Sequence, residues 1–189
     1  MKKYFILLIS VCALMGAACH QKGNSPVGPK QNAQCAEVLQ QYHHADSLYK
    51  IGFIDSASFN RFIRSAIKLA DENPQSDMAP EMLYKAGVGS MILAKSSITR
   101  EETAHYAKQA LKIFYDFQEK FPDHENAKYC YYQRGIVYDD ILGDYTSAQD
   151  QYRDFINRYP DDSLAVQLKD YLKILGKDER QLEEMLDLK

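Results

Sequence analysis

Two pairs of adjacent carboxylates are the side chains in this chain that could do acid–base chemistry. They are Asp139-Asp140 and Asp161-Asp162, and two carboxylates are what the cleavage of a glycan requires. Adjacent acids on a helix or at a helix cap are more often solvated side chains than catalytic ones. The sequence also has no nucleophile elbow, no His-Glu-x-x-His motif and no glycine-rich phosphate loop. We therefore expect no enzymatic activity and no cofactor.

The histidines and cysteines are the other reactive side chains. His43 and His44 are neighbours, so on a helix they point about 100° apart and do not share a metal ion. Cys35 and Cys130 could form a disulfide if the protein is exported. However, Cys35 stands at the start of the folded domain and Cys130 lies inside a helical pattern, so two separate buried thiols are the simpler interpretation. No metal site is expected.

Residues 1–18 have the charge and hydropathy of an export signal. Met-Lys-Lys precedes the apolar run YFILLISVCALM, which is too short for a comfortable transmembrane helix. Small residues at positions 16–18 stand directly before Cys19. This arrangement resembles a bacterial lipoprotein signal, in which Cys19 is lipidated and becomes the mature N-terminus. The alternative is an ordinary secretory signal cut near Ala18, which would leave Cys19 free.

The lipoprotein resemblance implies attachment to a membrane through acyl chains on Cys19. Residues 19–33 are predicted to form a flexible tether, because they contain several glycines and prolines and almost no large apolar residue. No aspartate follows the cysteine. By analogy with enterobacterial sorting, this predicts a bacterial outer-membrane lipoprotein that faces the periplasm. The folded domain is predicted over residues 34–189.

The elements that position the remaining side chains are predicted by a repeat. An apolar residue lies five positions before each of three prolines, and an alanine lies five positions after it. The three sets are Leu69, Pro74 and Ala79; Phe117, Pro122 and Ala127; and Phe155, Pro160 and Ala165. Apolar residues at helical spacing form one face of a helix, and proline ends the helix. The predicted fold is all-α, with helix pairs over 34–73, 77–121 and 124–159 and C-terminal capping helices over 163–188.

Residues 135–162, GIVYDDILGDYTSAQDQYRDFINRYPDD, resemble a tetratricopeptide repeat. The positions that match its small residues, aromatics and terminal proline are Gly135, Tyr138, Gly143, Tyr145, Ala148, Tyr152 and Pro160. APEMLYKAG, residues 79–87, resembles repeats of the outer-membrane β-barrel assembly lipoproteins and of the Tol–Pal coordinator family. The resemblance implies an α-solenoid. Arg134 occupies a position that is usually apolar in such repeats.

The repeat resemblance implies a scaffold that binds a protein or peptide partner in the cell envelope. The alternative is a glycan- or peptidoglycan-binding helical repeat module, because tyrosine rings can stack on sugars and the chain has 14 of them. Most of the aromatic content is, however, explained by the core of the repeats. The formal net charge of −3 gives no basic field for nucleic acid.

The partner-binding face is predicted from the first helix of each pair, which lines the concave side of a stacked array. The positions on this face, counted from Gly87 and Gly135, are Tyr84, Tyr129, Tyr132, Glu81 and Asp139. We expect the three tyrosines to form an aromatic strip for an extended or helical peptide. The alternative is that Tyr84 and Tyr132 pack between neighbouring helix pairs. Because the face has no cationic side chains, it is not expected to clamp a carboxylate.

The lipid anchor can be tested by replacing its acceptor. Cys19→Ala should abolish lipidation and release the protein from the membrane fraction, because no acyl chain would then hold it. Cell fractionation with detergent extraction measures this. Cys12→Ala is the matched control and should leave the protein anchored, since Val11 before it is not a small residue. A Cys19→Ala variant that is processed normally and remains detergent-extractable from membranes would contradict the prediction.

Overall fold

The structure, a computed structural model, describes residues 29–187, and all the regular elements in this range are helical. The helices are α1 Pro29–Lys50, α2 Ser56–Glu72, α3 Met78–Ser96, α4 Arg100–Lys120, α5 Tyr129–Ile136, α6 Tyr145–Arg158, α7 Ser163–Tyr171 and α8 Glu179–Asp187. A π-helical turn, Val137–Ile141, continues α5. Cys19 and the predicted export signal lie outside the described residues. Within residues 29–187, no helix is both long and apolar enough to cross a bilayer.

Each helix from α1 to α6 packs against the next one along the chain. The pairs α1–α2, α3–α4 and α5–α6 are those predicted by the prolines. Neighbouring pairs stack through α2 with α3 and through α4 with α5. The array is therefore a tetratricopeptide-like solenoid, and the predicted fold class is confirmed.

Local sequence signals set most of the helix boundaries. Asp55, Thr99, Asp144 and Asp162 each precede a helix and accept a hydrogen bond from a backbone N–H in its first turn. Two boundaries each differ by five residues from the sequence expectation. The first helix begins at Pro29 rather than at 34. The fifth begins at Tyr129 rather than at 124, because residues 121–128 form tight turns before the helix starts.

The residues aligned on the three prolines form the core. All six aligned apolar residues are buried, namely Leu69, Ala79, Phe117, Ala127, Phe155 and Ala165. Most of the buried residues belong to one cluster that runs from α1 to the π-helical turn. A smaller cluster joins α5, α6 and α7. Stacking is necessary because one helix pair cannot bury its own apolar face.

Two glycines allow neighbouring helices to approach closely. At Gly87, an added Cβ would lie 2.6 Å from the ring of Phe114 in α4. At Gly135, an added Cβ would overlap the ring of Tyr152 in α6. In both pairs, the ring of the second helix lies directly on the backbone of the first.

The two cysteines of the domain are separate buried thiols, as the simpler interpretation held. The Cys35 sulfur lies 3.3 Å from the hydroxyl of Ser76. The Cys130 thiol donates a weak hydrogen bond to the backbone carbonyl of Asn126 at 3.6 Å. Burial raises the pKa of Cys130 to about 12, so this thiol is not activated for reaction.

The C-terminal end of the array is covered by α7, which packs against α6. No extensive contact joins α8 to another helix within residues 29–187. Leu182 and Met185 of α8 are only partly buried. Of the predicted capping helices, α7 therefore closes the described core.

The burial of Phe155 gives a stability prediction. Phe155→Ala should lower the free energy of unfolding by about 3–5 kcal/mol, because the ring is fully buried in the smaller cluster. Urea denaturation followed by circular dichroism measures the change. Phe53→Ala is the matched control at a ring that is 59% exposed, and it should change stability by less than about 1 kcal/mol. Equal effects of the two substitutions would show that Phe155 is not a core residue.

Candidate functional site

A groove of about 570 Å³ lies between the first helices of two successive pairs, α3 and α5, and the closing helix α7. We call it the α3–α5–α7 groove. It is lined by Lys95 of α3; Tyr132, Ile136, Asp139 and Asp140 of α5 and its π-helical turn; Tyr152 of α6; and Leu164, Gln167, Leu168 and Tyr171 of α7. Helix α5 with its π-helical turn and helix α7 supply eight of its ten lining residues.

Two of the five predicted binding residues line this groove, namely Tyr132 and Asp139. Tyr132 packs against Tyr152, with ring centroids 6.2 Å apart. The carboxylate of Asp139 accepts hydrogen bonds from the Tyr171 hydroxyl at 2.5 Å and from the Tyr152 hydroxyl at 3.4 Å. These bonds connect the floor of the groove, in α5, to α6 and α7.

Tyr84 lies between helix pairs and does not line the groove. Its ring packs edge-on against Phe114 and Phe117, with centroids 5.7 Å away in each case. Its hydroxyl accepts a hydrogen bond from the side-chain amide of Gln133 at 2.9 Å, and burial raises its pKa to about 12. The geometry of Tyr84 therefore matches the alternative in which this ring packs between neighbouring helix pairs.

Tyr129 and Glu81 also lie outside the lining of the groove. The Tyr129 ring stacks on Phe155 at 6.5 Å, with the Lys128 ammonium 4.7 Å from its centroid. Glu81 is exposed and lies 3.5 Å from Lys85, one turn further along α3. The predicted continuous strip of three tyrosines is therefore divided, and only Tyr132 faces the groove. Binding roles for Tyr129 and Glu81 stay predictions.

Eight of the ten residues that line the groove were not predicted as binding residues, among them Tyr152, Tyr171 and Lys95. Tyr152 was assigned to the core, and it is only 2% exposed, but its ring still forms part of the wall. Tyr171 belongs to α7, which was regarded as a cap. The spacing of Leu164, Leu168 and Tyr171 on one helix face would have revealed this wall. Lys95 could not be placed from its spacing, because its ion pair with Asp140 spans two helices.

The electrostatics of the groove centre on Asp139. Burial and the hydrogen bond to Asp139 raise the pKa of Tyr171 to about 12, and burial and the negative charge of Asp139 raise the pKa of Tyr152. Both phenols are therefore neutral donors at physiological pH. Asp140 forms an ion pair with Lys95, but both side chains are about half exposed, so the pair contributes little to stability.

The two aspartates lie in the π-helical turn. The Leu142 N–H donates to the carbonyl of Val137, five residues earlier, at 3.1 Å. Such turns are rare and frequently occur at functional sites. Among residues 29–187, no cluster of three or more histidine, cysteine or acidic side chains could hold a metal ion.

Arg134 lies at the position that is usually apolar in such repeats. It is buried, and its guanidinium donates to the amide oxygens of Gln151 at 2.7 Å and Gln118 at 2.6 Å. The rings of Tyr115 and Tyr131 lie 4.0 and 4.8 Å from it. Burial lowers its pKa. The residue is accommodated because two rings and two amides replace the water that it loses.

Comparison with known proteins supports the repeat assignment. Residues 129–162 match the family model of the tetratricopeptide repeat. This match covers α5, its π-helical turn and α6. A search of curated proteins found no match to the chain. Repeats of this class are generally non-catalytic scaffolds for protein–protein interaction.

The position of Tyr84 leads to a test that separates packing from binding. Tyr84→Ala should lower the free energy of unfolding by about 3 kcal/mol, because it removes a packed ring and leaves the Gln133 amide without its acceptor. Thermal and urea denaturation measure the change. Glu81→Ala, an exposed position on the same helix, is the control and should change stability by less than about 0.5 kcal/mol. If Tyr84→Ala lowers the free energy of unfolding by less than about 1 kcal/mol, Tyr84 is not a packing residue and remains a candidate for partner binding.

Proposed function

We propose that this protein is a lipid-anchored scaffold of the bacterial cell envelope that binds a protein segment in the α3–α5–α7 groove. The groove is the observation that carries the proposal. It has an apolar wall of Leu164 and Leu168, an aromatic wall, and a few polar groups that could orient a ligand. Binding sites in proteins commonly combine these features.

The proposed location comes from the N-terminal sequence. Cys19 follows an apolar segment and three small residues, which supports lipidation. The absence of an aspartate directly after Cys19 supports sorting to the outer membrane, with the helical array in the periplasm. The likeness of residues 79–87 to repeats of envelope-assembly lipoproteins supports a role in assembling or maintaining the envelope.

Site-specific photo-crosslinking in cells tests the proposed function. Gln167→p-benzoylphenylalanine places the reactive group on the α7 wall, at an exposed position. We expect it to capture a discrete envelope protein, identified by mass spectrometry. Arg153→p-benzoylphenylalanine is the matched control, because Arg153 is exposed on α6 and does not line the groove.

The outcomes separate the candidate functions. Capture from position 167 but not from 153 supports a protein scaffold that uses the groove. Capture of peptidoglycan fragments at position 167 would instead support the glycan-binding alternative. If position 153 captures the partner and position 167 does not, the groove is not the binding surface.

A further inference from the structure

The charges in the α3–α5–α7 groove are not balanced. Asp140 is paired with Lys95, whereas Asp139 has no lysine, arginine or histidine within ion-pair distance among residues 29–187. Both hydrogen bonds to Asp139 end on Oδ2, and Oδ1 accepts none from the described residues. The groove therefore offers one carboxylate with a free acceptor oxygen and no counter-charge.

Aromatic rings surround this carboxylate. The rings of Tyr152 and Tyr171 meet edge-on at 5.8 Å, and the Tyr132 ring packs against Tyr152 at 6.2 Å. Tyr171 is 37% exposed, so part of its ring is open to a ligand. The faces of tyrosine rings attract cations, and the attraction increases when the cation is desolvated. A carboxylate beside such rings favours a basic side chain.

The apolar lining suits the stem of a basic side chain. Ile136, Leu164 and Leu168 line the same groove as Asp139. Lysine and arginine both carry a chain of methylene groups that packs along apolar surface while the charged end reaches a polar partner. An acidic or short polar side chain would gain nothing from these contacts.

The chain already contains a comparable arrangement on another face of α5. The guanidinium of Arg134 lies 4.0 Å from the Tyr115 ring and 4.8 Å from the Tyr131 ring. Tyrosines of this fold thus hold a cation between helix pairs. The groove has similar rings and, in addition, a carboxylate.

We propose that the groove recognises its protein partner through an arginine or lysine side chain whose cationic group pairs with Asp139 beside Tyr132 and Tyr171. This inference rests on the proposed function and names the chemistry of the partner. The planar guanidinium of arginine can stack on a tyrosine ring while its N–H groups donate to the free Oδ1 of Asp139. Arginine is therefore expected to bind more tightly than lysine.

Peptide titrations followed by NMR test this proposal on the intact protein. The probes are blocked pentapeptides Ala-Leu-X-Leu-Ala, in which X is arginine, lysine, norleucine or glutamate. Norleucine keeps the apolar stem and removes the charge. We expect the arginine and lysine peptides to shift the amide signals of groove residues such as Ile136 and Gln167, and to bind at least fivefold more tightly than the norleucine peptide.

Two substitutions that each remove one carboxylate charge are compared, one inside the groove and one outside it. Asp139→Asn should weaken binding of the arginine peptide about tenfold, because the carboxylate is lost while the shape is kept. Asp154→Asn makes the same change at an exposed position of α6 and should leave the affinity within twofold. Added salt should weaken the arginine peptide more than the norleucine peptide, since its binding depends on charge.

Equal binding of the norleucine and arginine peptides would overturn the proposal, as would unchanged affinity in Asp139→Asn. Shifts confined to residues outside the groove, or no binding of any probe at millimolar concentration, would also overturn it. The crosslinking experiment is independent of charge. A partner captured at position 167, combined with no preference for basic peptides, would leave the scaffold function standing and reject this inference alone.

Discussion

The contact between the Tyr152 ring and the backbone of Gly135 connects the fold to the groove. Because position 135 has no side chain, the ring of α6 can lie directly on α5. The Tyr152 hydroxyl then reaches Asp139, about one turn further along the chain. Phe114 lies on Gly87 in the preceding pair, but phenylalanine has no hydroxyl, and no comparable polar bond forms there. The same packing of a ring on a glycine therefore lines the groove in one pair and belongs only to the core in the other.

Different faces of α5 carry different polar groups. Arg134 is buried toward α4 and α6, where amide oxygens and tyrosine rings surround it. Asp139 and Asp140 lie in the π-helical turn at the end of the helix and line the groove. A buried cation without good partners would be expensive, so the Arg134 contacts restrict how α5 can rotate. With α5 in this orientation, Asp139 lines the groove.

The sequence predicted the solenoid because its signals are local. The prolines, the apolar residues five positions before them and the small residues five positions after them all follow from helix geometry and helix termination. The position of Tyr84 was not decided by its spacing. The same helical position can face a groove or a neighbouring pair, and the rings of Phe114 and Phe117 determine which. Tyr171 was missed because α7 was regarded only as a cap, although its inner face packs on α5 and α6 and lines the groove.

The absence of cationic residues on the predicted face was first an argument against carboxylate binding. The structure of the groove adds that this face favours a cation. A face rich in tyrosine can hold either charge through its hydroxyls or its ring faces, so the neighbouring ionised groups determine the preference. Lys95 forms an ion pair with Asp140. The neutral hydroxyls of Tyr152 and Tyr171 both donate to Oδ2 of Asp139. Because phenols with a raised pKa do not ionise at physiological pH, they add no negative charge of their own. The charge that a ligand meets in this groove is therefore the charge of Asp139.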